Sequence, residues 1–203
     1  MKSQLDHLVI AARTLPEGIS HITRLLGVAP QPGGAHALMG THNALLSLGP
    51  DCYLEVISID PQADAPAMKR WFGLDDFKGV PRLVHWVART DSIDEACPAD
   101  HRVVHMERNG LRWRFALAPG SHPPLGGTQP ALIQWQDGIT PSGRLTDHGL
   151  RLRRLTLAHA DAHRLGGELE RLGLSQGETI AIVPTGPPLR AEIFIHGKIV
   201  TLA

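Results

Sequence analysis

Four residues that could bind a metal ion lie at matched positions in two similar parts of the sequence. His7 lies in LDHLVIA and His85 in LVHWVA; at nearly the same distance downstream follow Glu55 in YLEVI and Gln134 in LIQW, respectively. Imidazole nitrogen, carboxylate oxygen and amide oxygen are all metal ligands in proteins. The alternative for a single histidine is a buried residue bonded to a backbone carbonyl. Buried polar groups need partners, and one shared divalent ion would serve all four.

The chemistry available to such a site is the stabilisation of negative charge on a substrate. A metal with open positions can bind two adjacent oxygens and assist removal of a proton next to a carbonyl group. Glu55 is the only carboxylate of the four, so it is the candidate general base as well as a ligand. We also predict that Asn43, Arg112 and Arg114 bind substrate, since an arginine could hold a carboxylate through paired hydrogen bonds. The alternative for both arginines is a solvated sheet face.

The elements that must position these residues follow one pattern three times, with a period of roughly 70 residues. Alternating apolar residues predict short strands, an amphipathic stretch predicts a helix after each first strand, and glycine and proline mark the turns. The order strand–helix–strand–strand–strand (βαβββ) spans residues 1–62 (module one), 80–137 (module two) and 150–203 (the C-terminal unit). In both modules the candidate ligands lie on the first and last strands.

Strand alternation predicts which residues share a face with the candidate ligands. Both faces of these strands are apolar, as expected when helices cover one side of a sheet that curls around something on the other. The residues predicted to lie under the helices are Leu8, Ile10, Leu54, Val56, Val84, Trp86, Ile133 and Trp135. The same reasoning puts Arg112 and Arg114 on the cleft side, because the residues that alternate with them are apolar.

Composition limits the classes of function. Lysine plus arginine equals aspartate plus glutamate at 20 each, so the formal net charge is zero and a nucleic-acid partner is not expected. No apolar run approaches the length of a membrane span, and the first residues do not resemble a signal peptide. Cys52 and Cys97 form no metal-type cluster, and we expect reduced thiols in a cytoplasmic protein. The expected partner is therefore a small-molecule substrate, not nucleic acid or a membrane.

With these residues in this element order, the sequence resembles the vicinal oxygen chelate superfamily, and within it the glyoxalase-like branch. The resemblance covers residues 5–137 and is carried by His7, Glu55, His85 and Gln134 in the motifs quoted above, and by GTHNALLSLGPDCYLEVISID (40–60). It implies an α+β fold of the glyoxalase/bleomycin-resistance/dioxygenase type, in which two paired βαβββ modules form a curved mixed sheet around a cleft. It also implies a divalent metal in that cleft, with Zn, Ni, Co or Mn as the expected ion.

Two features depart from the pattern of the family. The fourth ligand is more usually glutamate, whereas Gln134 would bring an uncharged amide oxygen, so a bound divalent ion would keep a positive charge that suits an anionic enediolate. In the C-terminal unit, Arg154 of LRRLTLAHAD (152–161) stands in place of the histidine, and the last strand, KIVTLA, has no carboxylate. We therefore predict a C-terminal βαβββ-like unit that binds no metal and covers a sheet edge or extends an interface.

Three functions remain open. The first is a metal-dependent lyase or isomerase of glyoxalase type that stabilises an enediolate of a small carbonyl or oxoacid-like substrate. The second is a ring-cleaving dioxygenase with Fe(II), because two histidines and one carboxylate are the ligands of non-haem iron sites; Gln134 counts against it, since the dioxygenases carry their carboxylate there. The third is a metal-free protein that sequesters a small molecule such as a drug. The modules could close the site within one chain or across a homodimer.

Overall fold

The main sheet of the molecule is built from modules one and two. A computed structural model describes residues 2–120, 122–174 and 176–203. Module one consists of β1 (Ser3–Ala11), α1 (Leu15–Leu26), β2 (Gln31–His36), β3 (Thr41–Ser47) and β4 (Tyr53–Ile59). Module two consists of β5 (Arg82–Thr90), α2 (Ile93–Ala96), β6 (Arg102–Arg108), β7 (Leu111–Leu117) and β8 (Ala131–Trp135). Both follow the predicted βαβββ order.

The two modules form one eight-stranded sheet with matching connectivity. Its strand order is β2-β3-β4-β1-β5-β8-β7-β6. Within each module the first strand pairs in parallel with the last, and β1 pairs antiparallel with β5 to join the halves. The first strands of both modules are therefore neighbours at the centre of the sheet. The predicted α+β fold, with two paired modules around a cleft, is confirmed.

The sheet curls until its two edge strands approach each other. The Asn109 side-chain amide donates to the backbone carbonyl of Gly33 at 2.8 Å, and Arg108 at the end of β6 donates to His36 at the end of β2. A Cβ on Gly34 would lie 2.8 Å from Cδ of Arg108, so the absence of a side chain at this position allows the close approach. The concave face is thereby enclosed as a cleft between the modules.

Helix α1 covers the outer face of module one. The Thr14 side chain accepts a hydrogen bond from the Glu17 amide at the amino end, and Gly27 ends the helix in the left-handed region at φ 71°. Ile22 and Leu26 are buried on its inner side. A Cβ on Gly18 would lie 2.5 Å from Val56, so the helix packs unusually close to β4. This contact buries the outward side chains of the strands that carry the candidate site.

The sheet separates two apolar cores. The outer core contains Leu8, Ile10, Leu54, Val56 and Trp86, as the strand alternation predicts. The inner core, on the concave face, contains Val9, Ile57, Val87, Trp113, Phe115 and Ile133, with Trp135 and Val84 packed against it. The prediction is therefore correct for β1 and β4. It is wrong for Val84, Ile133 and Trp135, which lie on the cleft side.

The error in module two has a structural cause. Helix α2 has four residues, so it covers little of the outer face of β7 and β8. Part of that face carries polar side chains such as Arg112 and Gln134, whereas Ala116 and Leu132 are buried in the outer core, and the aromatic residues of these strands turn inward. Apolar residues were assigned to the helix side because the short helix predicted there was expected to cover that face. At Val84 a register irregularity between β1 and β5 changes the phase of the alternation.

The C-terminal unit has the predicted element order but a different sheet. It consists of β9 (Arg151–Ala158), α3 (Ala162–Arg171), β10 (Ile180–Val183), β11 (Leu189–Ile195) and β12 (Lys198–Leu202). Its strand order is β10-β9-β11-β12, so its first strand pairs with the second and third rather than with the last. Leu155, Leu189 and Ile193 join the outer core, and β11 contacts β5. The unit thus covers the convex face of the main sheet rather than one of its edges.

The sequence also led to expectations about membrane-spanning segments and about the two cysteines. In the described ranges, no helix has both the length and the apolar character needed to cross a membrane. Cys52 and Cys97 are free thiols. Burial raises the pKa of both thiols, so neither is activated as a nucleophile at neutral pH.

Candidate functional site

The polar centre of the cleft belongs to module one. His7 of β1, Asn43 of β3 and Glu55 of β4 are each no more than 5% exposed. The His7 Nε2 atom lies 3.6 Å from Oε2 of Glu55, and the Asn43 amide donates to Oε1 of Glu55. The side-chain oxygen Oδ1 of Asn43 accepts a hydrogen bond from the backbone amide of Gly34 at 3.0 Å. This bond fixes the orientation of the Asn43 side chain. The structure therefore brings three of the predicted site residues together.

A residue that the sequence analysis missed, Asp6, holds the other side of His7. Asp6 is fully buried, and its Oδ1 lies 2.7 Å from Nδ1 of His7. An irregularity of register between β1 and β5 at this position lets adjacent residues meet. The second oxygen of Asp6 accepts a hydrogen bond from Trp135 Nε1 at 3.0 Å and lies 3.6 Å from Arg89. Bulges of this kind re-aim side chains beside functional sites.

The protonation states of His7 and Glu55 follow from their contacts. Burial acts to lower the pKa of His7, but hydrogen bonds and charge from Asp6 and Glu55 outweigh it and raise that pKa to about 9. Burial acts to raise the pKa of Glu55, but His7, His36 and Asn43 lower it to about 2. At neutral pH the pair is therefore an imidazolium facing a carboxylate. A cation that took the place of the His7 proton would meet the same carboxylate.

His85 of β5 lies on the same concave face but in a different environment. Val9 of β1 is paired with Glu55 on one side and with His85 on the other, so the three residues form a row across the sheet. The His85 Nδ1 lies 3.2 Å from the Gly127 carbonyl, and its ring is 5.3 Å from that of Phe72. Burial lowers the pKa of His85 to about 4, so the ring is neutral at neutral pH. Unlike His7, it has a free lone pair at Nε2.

The donors of the cleft fit part of a metal site. Bonds of about 2.0–2.2 Å place two ligands of a tetrahedral ion roughly 3.4 Å apart, close to the His7–Glu55 separation of 3.6 Å. Metal-binding histidines usually direct their second nitrogen to a carboxylate or a backbone carbonyl, and His7 and His85 both do so. In the described part of the chain, however, no group of three His, Cys, Asp or Glu side chains lies close enough for one ion. The fit is therefore to two ligands, and His85 lies in the same row across the sheet as Glu55.

Gln134, Arg112 and Arg114 do not face the cleft, and the prediction of their orientation is wrong. The Gln134 side chain accepts a hydrogen bond from the backbone amide of Ile93 at 3.3 Å and donates one to the backbone carbonyl of Asp91 at 2.8 Å. These bonds place Gln134 against α2. Arg114 donates to Gln134 and to Asp94. Arg112 forms an exposed ion pair with Asp137 at 3.0 Å. The solvated sheet face, which was the alternative for the arginines, is what the structure has.

The remaining lining of the cleft was not identified from the sequence. His36 and Arg108 come from the two edge strands, and Trp71 and Phe72 come from the connector between the modules. Tyr53 stacks on His7 with ring centres 4.6 Å apart. The sequence did contain a signal that the connector lines the cleft, because the adjacent aromatic residues in KRWFGLDDF are unusual for a polar linker. No sequence signal marked Arg108, because an arginine at the end of a strand is ordinarily solvated.

Two cavities adjoin at these aromatic residues. The first has a volume of about 20 Å³ and is lined by His7, Glu55, His36, Arg108 and Trp113, among others. The second has a volume of about 440 Å³ and is lined by His85, by apolar residues such as Leu117 and Pro130, and by charged residues that include Lys69, Asp100 and Arg102. Trp71, Phe72 and Phe115 line both. The cleft thus has a narrow end at His7 and Glu55 and a wide end of mixed polarity.

Comparison with known proteins adds a family and a fold. A family model described as a glyoxalase-like domain matches residues 5–173. A solved structure of a hypothetical protein from Staphylococcus aureus gives a TM-score of 0.59 at 13% identity and covers 99% of this chain and 84% of that chain. Methylmalonyl-CoA epimerase from Mycobacterium tuberculosis gives a TM-score of 0.43 at 21% identity, covering 64% of this chain and 85% of that chain. No curated protein sequence matches.

Proposed function

The chain belongs to the glyoxalase-like domain family of the vicinal oxygen chelate superfamily, and from this premise we propose that it is a metal-dependent lyase or isomerase. The proposed substrate is a small carbonyl or oxoacid-like molecule whose enediolate is stabilised in the cleft. The residues proposed to hold a divalent ion are His7 and Glu55, with His85 as the third. Gln134 is left out of this set because its amide is bonded on the outer face of the sheet.

One observation carries the proposal: His7 and Glu55 present Nε2 and Oε2 to each other 3.6 Å apart, with both side chains fixed from behind. Asp6 holds Nδ1 of His7, and Asn43 holds the second oxygen of Glu55. Such outer hydrogen bonds orient metal ligands and raise affinity for the ion. A merely structural ion pair would not require two further buried polar residues to aim it.

The chain's own residues supply the rest of the chemistry. His7 and Glu55 would hold a divalent ion whose contribution, when bound, would be Lewis-acid stabilisation of negative charge on substrate oxygen. Glu55 is ionised at neutral pH, which is the state in which a general base accepts a proton. Asn43 keeps that carboxylate turned toward the cleft. Trp71, Phe72 and Phe115 exclude water from the reacting end, where electrostatic interactions are then stronger.

A metal-free binding protein is the second candidate, and one observation favours it. Among the described residues, no group of three His, Cys, Asp or Glu side chains could hold one ion, and the His7–Glu55 ion pair is complete without a metal. In that case the cleft would bind a small molecule without turning it over.

Metal titration separates the two candidates. Chelator-treated protein is titrated calorimetrically with Zn²⁺, Ni²⁺, Co²⁺ and Mn²⁺, and with Fe²⁺ under anaerobic conditions. We expect one ion per chain, with affinity lowered at least about a hundredfold by His7→Gln or Glu55→Gln. The matched controls His105→Gln and Glu107→Gln change exposed residues of β6 and should bind normally. Absence of binding, or binding that His7→Gln and Glu55→Gln leave unchanged, would support the metal-free protein.

A further inference from the structure

Arg108 is a buried cation that forms no ion pair with a carboxylate of the described residues. Its side chain lines the narrow end of the cleft, and the residue is 8% exposed. It forms one hydrogen bond, to His36, and its guanidinium lies 5.7 Å from the ring centre of Trp113. No Asp or Glu of the described residues lies within ion-pair distance of it, whereas the exposed Arg112 has Asp137 at 3.0 Å. Burying a charge without a counter-charge is costly, so this arrangement calls for a ligand.

His36 does not neutralise Arg108. A guanidinium only donates hydrogen bonds, so Nε2 of His36 must accept and the imidazole is uncharged. Its other nitrogen lies 3.1 Å from the Thr41 hydroxyl. Burial and the charge of Arg108 lower the pKa of His36 to about 3, in agreement with this assignment. The pair therefore holds the guanidinium in place while leaving its charge and most of its N–H groups available.

A second donor at the same end of the cleft also lacks an acceptor. Trp71 is 7% exposed and lines the narrow cavity, and its indole N–H is one of the buried polar groups of the described residues that have no hydrogen-bond partner. Unsatisfied buried donors are rare in folded proteins and indicate a missing acceptor. Arg108 and Trp71 both contact His36, Arg108 through its hydrogen bond and the Trp71 ring edge-on with ring centres 5.1 Å apart. Two donors around one neutral residue are suited to an anionic acceptor.

We propose that Arg108 binds a carboxylate group of the ligand, with Trp71 as a second donor, at the narrow end of the cleft. The assignment of this ligand as a substrate rests on the proposed function, because His7 and Glu55 line the same cavity. The cavity of about 20 Å³ has room for little more than a water-sized group, which favours a planar carboxylate over a phosphate. The adjoining cavity of about 440 Å³ has both apolar and charged side chains in its lining and has room for the rest of the ligand. The ligand class is therefore a small carboxylic acid.

The test compares acids with their neutral esters. Calorimetric titration uses phenylpyruvate and 4-methyl-2-oxopentanoate, each beside its methyl ester, with chelator-treated protein and again with Zn²⁺. We expect the acids to bind the unmodified protein about ten- to a hundredfold more tightly than the esters, because a charge-assisted pair is lost in the ester. Arg108→Gln should abolish this preference and Arg108→Lys should keep part of it, since lysine retains the charge without the planar fork. Trp71→Phe should weaken acid binding severalfold.

Arg112→Gln is the matched control, because it removes an arginine of module two that lies on the outer face, and it should retain the full preference. Equal affinity for acids and esters would overturn the proposal without any variant, as would a preference that survives Arg108→Gln in folded protein. Inorganic phosphate that binds as tightly as the acids, and depends equally on Arg108, would overturn the carboxylate assignment. An acid preference in protein that binds no metal would uphold this site and refute the proposed metal-dependent function instead.

Discussion

Modules one and two share their connectivity but not their chemistry. Both have the order βαβββ, and their first strands lie side by side with His7 and His85 on the concave face. In module one that face carries His7, Asn43 and Glu55, where Glu55 accepts a hydrogen bond from Asn43 and forms an ion pair with His7. In module two it carries Trp113, Phe115, Ile133 and Trp135. The two modules therefore share a backbone pattern, but the concave face of module one is polar and that of module two is mostly apolar.

The covering element explains the difference. Helix α1 has 12 residues and buries the outer face of module one, so apolar side chains face both ways and the polar residues of the cleft are exceptions among them. Helix α2 has four residues, and the outer face of β7 and β8 carries Arg112, Arg114 and Gln134, which are exposed or half-buried. A strand with one solvated face has a simple alternation, polar outside and apolar inside. The same strand motif therefore points different side chains at the cleft.

The largest effect on stability is expected from giving the first strand of module two the leucine that module one has at the matching position. Trp86 is fully buried opposite Leu8, and its indole N–H donates to the Thr128 carbonyl at 2.9 Å. Trp86→Leu would leave a cavity and an unpaired carbonyl, and should lower the free energy of unfolding by roughly 3–4 kcal/mol. Urea denaturation followed by circular dichroism measures this. Trp86→Phe keeps most of the volume and should lose less; an unchanged midpoint in both variants would contradict the packing described.

The contributions of His7 and His85 to the stability of the fold should depend on pH in opposite directions. The folded-state pKa of His7 is raised to about 9, so its stabilising contribution is present below 6.5 and is lost as pH rises through 9. The pKa of His85 is lowered to about 4, so the folded protein loses stability as pH falls from 6.5 toward 4. Each effect should amount to roughly 1–3 kcal/mol in the free energy of unfolding.

Urea denaturation of metal-free protein between about pH 4 and pH 9 measures both effects. The stability difference between the unmodified protein and His7→Gln should shrink as pH rises above 6.5, whereas that for His85→Gln should shrink as pH falls below it. The exposed His105→Gln provides the baseline. Parallel curves for His7→Gln and His85→Gln would mean that the two modules hold their histidines in the same charge state.

A smaller effect is expected on the outer face of module two. Arg112 and Asp137 are each more than 60% exposed, and exposed pairs contribute little. Arg112→Ala should lower the free energy of unfolding by less than about 1 kcal/mol, and by less still in high salt. Ligand affinity should not change. A tenfold loss of acid binding in this variant would restore Arg112 to the cleft and reverse the face assignment.

The smallest effect is expected from restoring the usual fourth ligand of the family. Gln134→Glu places a carboxylate where the amide now contacts Asp91 and Ile93, away from His7 and Glu55. We expect metal affinity, measured by calorimetry, to change less than about threefold, because a ligand on the far face of the sheet cannot reach the ion. A large gain in affinity would show that residue 134 can turn into the cleft, and would make the two modules equivalent after all.

The repeated pattern was sufficient to predict the fold. The spacing of apolar residues and of glycine and proline predicted the strands of both modules to within a few residues, because secondary structure and its periodicity are local properties. The faces of β1 and β4 were also predictable, since His7, Asn43 and Glu55 interrupt strands that are otherwise apolar on both sides. The C-terminal unit shows the limit, because its element order was predicted but its strand order β10-β9-β11-β12 was not. Pairing depends on contacts between distant segments.

The sequence by itself determined the two βαβββ modules, the position of His7 beside the last strand of its module, and the loss of the histidine in the C-terminal unit. Only the tertiary structure decided which residues complete the cleft. Asp6 reaches His7 through an irregularity of register, Arg108 reaches His36 because the sheet edges meet, and Gln134 lies on the outer face, where it bonds to the backbone beside α2. Each of these depends on the curvature and covering of the sheet, which are set by packing across the whole chain rather than by any local pattern of residues.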